Sequence, residues 1–174
     1  METLKGNTLY LRALEPEDLN FLYDIENNES FWEVSHTQTP FSKFILKQYL
    51  ENAHLDIYEA KQLRLVIVEA SSNLQIGAID LFDYNPLHKR AGVGIVIHPE
   101  YQQKGFAQES LAILINYAFT HLNLHQLYAN ITSKNTNSLN LFTKMNFKEM
   151  GRKKDWILCN GKFIDEISFQ LIKQ

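Results

Sequence analysis

Val93-Gly94-Ile95-Val96-Ile97-His98-Pro99-Glu100-Tyr101-Gln102-Gln103-Lys104-Gly105-Phe106-Ala107 is the stretch that decides the fold. It opens as an apolar, β-branched run of strand length. Pro99 ends the run, because proline brings no amide hydrogen to a ladder. A short polar turn follows, with Gly105 where the chain bends sharply or lets a ligand approach its backbone. From Ala107 to Leu122, the residues Leu111, Ile113, Leu114, Ile115, Ala118 and Phe119 recur at helical spacing. The unit is strand, glycine turn, helix. Amides of the turn and the first helical turn have no intrahelical partner, and the macrodipole makes that end positive. A phosphate or diphosphate can dock there on N–H groups alone, with Lys104 adding a charge. An ordinary strand-to-helix connection has the same pattern, so the turn by itself leaves both readings open.

Outward from this unit, helices and strands mix. Thr8 to Leu14 alternates apolar and polar residues as a first strand, and Glu15-Pro16-Glu17-Asp18 suits a helix start. A helix from Asp18 to about Glu26 buries Leu19, Leu22, Tyr23 and Ile25; Phe31-Trp32 then opens an aromatic, acid-bearing loop to Pro40. A second helix is expected over Ser42 to Ala60. Leu63 to Glu69 and Ile76 to Tyr84 are antiparallel strands joined through Ser71-Ser72-Asn73. Gln126 to Thr132 is a further strand, parallel to Val93–Ile97 across a right-handed crossover. Thr136 to Met145 is a short helix capped at Asn135, with Asn146 at the left-handed position after its end. The chain closes with a hairpin, Phe147 to Cys159 and Lys162 to Leu171, about an Asn160-Gly161 turn.

At 174 residues the chain is read as a single domain over residues 1–174, large enough for a good core. Apolar residues make up 45% and charged residues 21%, ordinary values for a globular protein. The net charge of −3 gives no basis for expecting nucleic acid, and no apolar run approaches the ~20 residues of a membrane span. Cys159 is the only cysteine, which points to a reducing, cytoplasmic setting. His121 and His125 are four apart, but Asn123-Leu124 marks a helix end between them and no cysteine or carboxylate cluster completes a metal set. No metal is expected.

Gln102-Gln103-Lys104-Gly105-Phe106-Ala107 fits the pattern Q/R-x-x-G-x-G/A behind an apolar strand, and Asn135-Thr136-Asn137-Ser138 leads into Leu141-Phe142-Thr143-Lys144-Met145-Asn146-Phe147. Together these resemble the acetyl-CoA-binding core of the GNAT N-acetyltransferases. The resemblance runs from Leu9-Tyr10-Leu11-Arg12 to the final hairpin. It is nearest the branch holding the ribosomal-protein N-terminal acetyltransferases (RimJ and RimL) and the bacterial spermidine acetyltransferases. It implies an α/β GNAT fold: a mixed, mostly antiparallel sheet with a splayed parallel strand pair, flanked by helices. It also implies that Ile95, Val96 and Ile97 pair with the pantetheine arm of acetyl-CoA like an added strand. Gln102, Gln103, Lys104, Gly105, Phe106 and Ala107 would hold the diphosphate, and Asn135, Ser138 and Phe142 would reach the arm from the far side. Asn135 serves equally as a plain helix cap.

Such enzymes move acetyl directly to an amine, without an acyl-enzyme. The protein admits a neutral amine, orients it, and stabilises the developing oxyanion while a base takes the amine proton. Two positions depart from the relatives. Many members carry a tyrosine, as acid for the leaving thiolate, where this chain has Phe142, and the spermidine enzymes place a glutamate where it has Gly92. Neither role carries over. The remaining candidate base is Asp80, a carboxylate among apolar neighbours in Ala78-Ile79-Asp80-Leu81-Phe82; it also suits an ion pair with a basic residue such as Arg90 or Arg12. Tyr84 and Tyr128 are candidate acids, although a tyrosine in these settings is more often part of the core or the rim. The acceptor pocket is expected to draw on Glu26-Asn27-Asn28, Phe31-Trp32-Glu33, Tyr84 and the strand bearing Trp156, since acidic and aromatic groups suit a cationic amine. A packing role for Trp32 and a solvated Glu33 fit the sequence as well.

These readings converge on an N-acetyltransferase acting on a small-molecule or peptide amine, with a protein N-terminus as the leading acceptor. A polyamine or other small amine is the alternative, and a prominent acidic pocket would favour it. A non-catalytic acyl-CoA-binding sensor is the alternative of another class. The edge strands of the closing hairpin leave room for a homodimer.

Overall fold

Strand β2, Leu63–Glu69, buries Leu65 and Ile67 on one face and Val66 and Val68 on the other, so its sheet has to be covered on both sides. The structure, a computed structural model, describes residues 2–35 and 37–174, apart from the side chains of Glu33 and Val34. Its strands are β1 (Leu9–Ala13), β2, β3 (Gln75–Asn85), β4 (Arg90–Ile97), β5 (Gln126–Thr132), β6 (Lys148–Cys159) and β7 (Lys162–Ile172). Its helices are α1 (Leu19–Glu26), α2 (Glu29–Ser35), α3 (Lys43–Glu51), α4 (Ile57–Ala60), α5 (Phe106–Thr120) and α6 (Thr136–Lys144).

The sheet has seven strands in the order β1-β2-β3-β4-β5-β7-β6, antiparallel except for the β4–β5 pair. This is the GNAT architecture that the resemblance implied. Leu111 and Leu114 of α5 and Phe142 of α6 pack with Leu65, Ile67, Ile79, Leu81 and Val93 in one core. On the opposite face, Ile25 and Glu26 of α1 share a cavity wall with Arg64, Ala78 and Asp80. Glu109 of α5 fastens that helix to the chain ahead of β1 by accepting from the Thr8 amide at 2.9 Å and from the Thr8 hydroxyl.

The feature that positions the site is a short ladder. β4 pairs with β5 only from Arg90–Gly92 to Gln126–Tyr128, whereas β5 stays paired with β7 as far as Thr132. From Val93 onward the edge of β4 that faces β5 is unpaired, and the two strands part around a cleft.

Most expected elements appear within two residues of their predicted ends. Asn146 has φ +65°, and Asn160 and Gly161 both have positive φ, as a two-residue hairpin turn of this sequence requires. Two expectations change. The loop predicted after Phe31 begins inside α2. The helix predicted over Ser42–Ala60 is broken: Asn52 ends α3, and the Asp56 carboxylate starts α4 by accepting from the Tyr58 and Glu59 amides. The apolar stripe continues across the break, but the Asp56 side chain competes with the helix for its own backbone.

Among the described residues no helix is long and apolar enough to cross a membrane, and no group of three or more His, Cys, Asp or Glu is placed to hold a metal ion.

Candidate functional site

The cleft divides into two joined cavities. One, of about 640 Å³, is lined by Ile95, Val96 and Ile97 of β4, Gln102, Gln103 and Gly105 of the turn, Ala107 and Gln108 of α5, and Asn135 and Ser138 of α6. Gly105 is the N-cap of α5 at φ +87°, a conformation that favours glycine, and Gln103 is also left-handed at φ +59°. Successive left-handed and helical residues turn amides toward one side, where the free N–H groups of the first turn of α5 add to them. Acetyl-CoA fits this arrangement: an amide cradle for a diphosphate continues into the unpaired edge of β4, which can pair with an amide-bearing arm as a strand would.

The cradle is made of backbone rather than of side chains. The Gln102 amide group donates to the Ile97 carbonyl at 2.9 Å, which braces the turn against the end of β4. Lys104 lies 5.0 Å over the Tyr101 ring, and neither Lys104 nor Phe106 lines the cavity; Phe106 is buried in the core. Asn135 Oδ1 caps α6 by accepting from the Ser138 amide at 3.1 Å, while the residue also lines both cavities. The cap and the cavity-lining position are therefore one residue.

The second cavity, of about 400 Å³, lies between β3, β4, β5, β7 and α1. Among the described residues its walls carry three carboxylates, Glu26, Asp80 and Glu166, and one cation, Arg64. Arg64 donates through Nε to Asp80 Oδ1 at 2.7 Å and through Nη2 to Oδ2 at 2.9 Å, and its Nη1 reaches Glu26. Burial disfavours the Arg64 charge, but Asp80 and then Glu26 outweigh it and hold the guanidinium well above its ordinary range. Asp80 sits opposite Gly94, and a Cβ at Gly94 would lie 4.0 Å from Asp80 Oδ2. The carboxylate thus borders the place where the cleft between β4 and β5 begins.

The partner of Asp80 is Arg64, not Arg90 or Arg12; Arg12 pairs instead with Asp18. Of the expected acceptor residues, Glu26 lines the cavity and Asn27 does not. The Asn27 side chain donates to the Tyr23 and Phe41 carbonyls and accepts from the Phe41 amide, which ties α1 to the chain ahead of α3. The Trp32 indole donates to the Glu26 carbonyl at 2.9 Å and also stays off the cavity wall. The side chain of Glu33 lies outside the described residues. Tyr84 is buried in the core, edge-on to Tyr58, and burial with that neighbour pushes its hydroxyl up to about 12. Tyr128 is likewise raised to about 12, by burial and by its hydrogen bond to Asp83, and it too is off the wall.

Phe142, expected beside the coenzyme arm, lines the second cavity and not the first, 3% exposed and 4.9 Å edge-on to Phe147. At Gly92 a Cβ would meet the Phe82 ring at 2.3 Å. Phe82, itself edge-on to Tyr128, fills the space a longer side chain at position 92 would need. The departure at Gly92 therefore has a structural basis, the Phe82 ring that stands in the place of a side chain.

Sequence reasoning missed Arg64, Phe82 and Glu166. Arg64 is a lone charge in Leu63-Arg64-Leu65-Val66, a signal of the same kind as the one that drew attention to Asp80. Glu166 left no signal, because Asp165-Glu166 in an amphipathic hairpin reads as solvated.

Residues 8–148 match the family described as Acetyltransferase (GNAT) domain. Over 163 residues the chain is 34% identical to a spermidine N(1)-acetyltransferase of Vibrio cholerae, covering 92% of this chain and 90% of that protein. It is 30% identical over 165 residues to the Escherichia coli K12 spermidine N(1)-acetyltransferase, covering 93% and 84%. In three dimensions it resembles the crystal structure of the Vibrio cholerae spermidine N-acetyltransferase in complex with CoA and spermine, with TM-score 0.87, 30% identity and 96% of each chain covered. A dodecameric structure of the Vibrio cholerae enzyme also matches, with TM-score 0.81, 32% identity and coverage of 96% and 95%.

Proposed function

The chain belongs to the GNAT acetyltransferase family, and we propose that it acetylates a polyamine or another small cationic amine. It is an N-acetyltransferase that uses acetyl-CoA. The choice of acceptor rests on one observation, the excess of carboxylate over cation in the walls of the 400 Å³ cavity. An acidic cavity attracts an ammonium group and holds it beside the reacting centre. A protein N-terminus, the leading acceptor from the sequence, gives way to the polyamine alternative. The similarity of the chain to two spermidine acetyltransferases favours the same choice.

Acetyl-CoA supplies an activated acyl thioester. Backbone amides at Gln103 to Ala107 hold its diphosphate, and the free edge of β4 lines up its arm. Arg64 keeps Asp80 in one orientation at the mouth of the cleft, and the outer lone pairs of that carboxylate receive an N–H of the acceptor. The reacting ammonium gives one proton to water before attack, and Asp80 takes the second, released as the new C–N bond forms and the C–S bond of the thioester breaks. No tyrosine, histidine, cysteine or lysine is among the described residues that line the acceptor cavity, so the leaving sulfur draws its proton from water.

A second copy of the chain meets the outer hairpin at Leu158 and Phe163 in this reading, clear of Lys153 and Trp156. Leu158 and Phe163 pair across β6 and β7 and are each at least 60% exposed, at the edge of the sheet.

Thiol release from acetyl-CoA measured against spermidine, spermine, monoamines and peptides with free N-termini tests the proposal. Turnover with the polyamines at the highest kcat/KM is expected. Turnover with peptides alone would overturn the acceptor. No turnover with any amine, despite tight coenzyme A binding, would restore the sensor.

A further inference from the structure

Glu166 is a buried acid that the acetyl-transfer step does not use. It is 6% exposed, lies on β7 opposite Thr132 of β5, and lines the acceptor cavity. Burying a carboxylate is costly unless it is paired. Its partner is Lys153 of β6, whose Nζ donates to Oε1 at 2.8 Å. Lys153 is an unusual choice of partner, because its side chain is 45% exposed and arrives from the rim, with Nζ 4.9 Å over the exposed Trp156 ring. Among the described residues Oε2 has no protein partner.

The register fixes how Glu166 faces the reacting end. Paired residues in a sheet share a face, and so do residues two apart on a strand. Asp80 pairs with Gly94, Gly92 with Tyr128, and Thr132 with Glu166. Asp80 and Glu166 therefore stand on the same face, on opposite sides of the parted strands. Between β3 and β7 lie three strand spacings, at least about 14 Å. The cavity thus has an anionic pole at each end, one held by an internal arginine and the other by a lysine that can swing into water.

We infer that Glu166 binds the second, non-reacting ammonium of the acceptor, and that Lys153 occupies its carboxylate until that ammonium displaces it. Glu166 is then the residue that selects α,ω-diamines and polyamines over monoamines. This rests on the proposed small-amine activity. Exchanging one ammonium for another keeps the buried charge compensated throughout, and the released lysine returns to solvent beside Trp156.

Steady-state kinetics on 1,8-diaminooctane, spermidine and n-butylamine test it, the longer diamine being chosen to span the two poles. The wild type is expected to favour the diamine and the triamine over the monoamine by kcat/KM. Glu166→Gln should raise KM for both polycations at least ten-fold, with kcat nearly unchanged, and leave n-butylamine unaffected. Lys153→Met leaves Glu166 without its resident cation, so it should lower KM for the polycations and leave n-butylamine alone. Spermidine should also raise the Tm of Lys153→Met by more than it raises that of the wild type, a readout that survives if Glu166→Gln folds poorly. Equal losses on mono- and diamines, no loss on either, or equal Tm shifts would overturn the role of Glu166 while leaving the acetyltransferase reading intact. A wild type that acetylates peptides alone would overturn that reading instead.

Discussion

The two halves of the cleft are built by different means. The coenzyme half is backbone: an unpaired strand edge, a left-handed Gly105 and the first turn of α5, all within residues 95–108. The acceptor half is side chains: Glu26 from α1, Arg64 from β2, Asp80 from β3, Phe142 from α6 and Glu166 from β7. Backbone geometry binds a group common to many reactions, and it tolerates exchange of the side chains around it. Side chains gathered from five elements can be altered one at a time, which changes the acceptor without disturbing the coenzyme. The halves should therefore respond separately to mutation.

The sharpest break in that comparison comes from Asp80→Asn. It keeps the shape but removes the charge that meets the amine and leaves Arg64 with one fewer anion. A loss of about 10²-fold or more in kcat/KM for the amine is expected, with coenzyme A affinity unchanged. Unchanged turnover and pH profile would remove Asp80 from the chemistry. The converse variant, Gly105→Val, puts a β-branched residue at φ +87°. Such strain costs about 1–3 kcal/mol, and coenzyme A should bind roughly ten-fold more weakly with the amine KM unchanged. Isothermal titration with coenzyme A and amine kinetics would together show whether the two halves are as independent as their construction implies.

A second arginine–aspartate pair is the control. Arg12 meets Asp18 with two hydrogen bonds, at 2.7 and 2.8 Å, in the same forked form as Arg64 and Asp80, but neither residue lines the cleft. Asp18 is 1% exposed and also accepts from the Glu15 amide and from Gln75. Burial works against its charge, yet Arg12 and these donors hold its pKa below the ordinary aspartate value of 3.8. A lowered carboxylate pKa contributes stability that is fully present above the unfolded value and is lost as pH falls through the folded one. Asp18→Asn should therefore destabilise by about 1–3 kcal/mol in urea at pH 7, with the gap closing below pH 3.8 and amine selectivity unmoved. A change in selectivity would mean that the cleft is coupled to the outer sheet.

The same division explains what could be read from the sequence. The coenzyme half was legible because its parts are contiguous: an apolar run, a proline stop, Gly105 and a helical period lie within thirty residues of one another. Asp80 and Glu26 were legible as acids in apolar or helix-end settings, but the residue that joins them was not. Arg64 meets them only when three elements fold together. Asn27 and Tyr84 were chosen for their chemistry, and the fold uses that chemistry to tie loops and fill the core. Glu166 looked solvated because its burial comes from β5 and from a lysine across the hairpin, neither visible in local pattern.

Phe142→Tyr should have the smallest effect, and it asks whether the missing acid limits the enzyme at all. The ring lines the acceptor cavity from α6, and Phe147 packs against it at 4.9 Å. A thiol ordinarily titrates near ~8.5 and a phenol near ~10, so the thiolate is already a good leaving group at neutral pH and the phenol is a weak acid toward it. The gain in kcat should be a few-fold, well short of the roughly 10²–10⁴ that positioned proton transfer supplies to poorer leaving groups. It should fade at alkaline pH, where the thiolate needs no proton and the phenol itself begins to ionise. A gain above 10²-fold would mean that thiolate departure limits the wild type, and that Phe142 restrains the rate rather than only bordering the cavity. An unchanged rate across the whole pH range would mean that the sulfur leaves unassisted, with the carboxylate side of the cavity alone setting the pace.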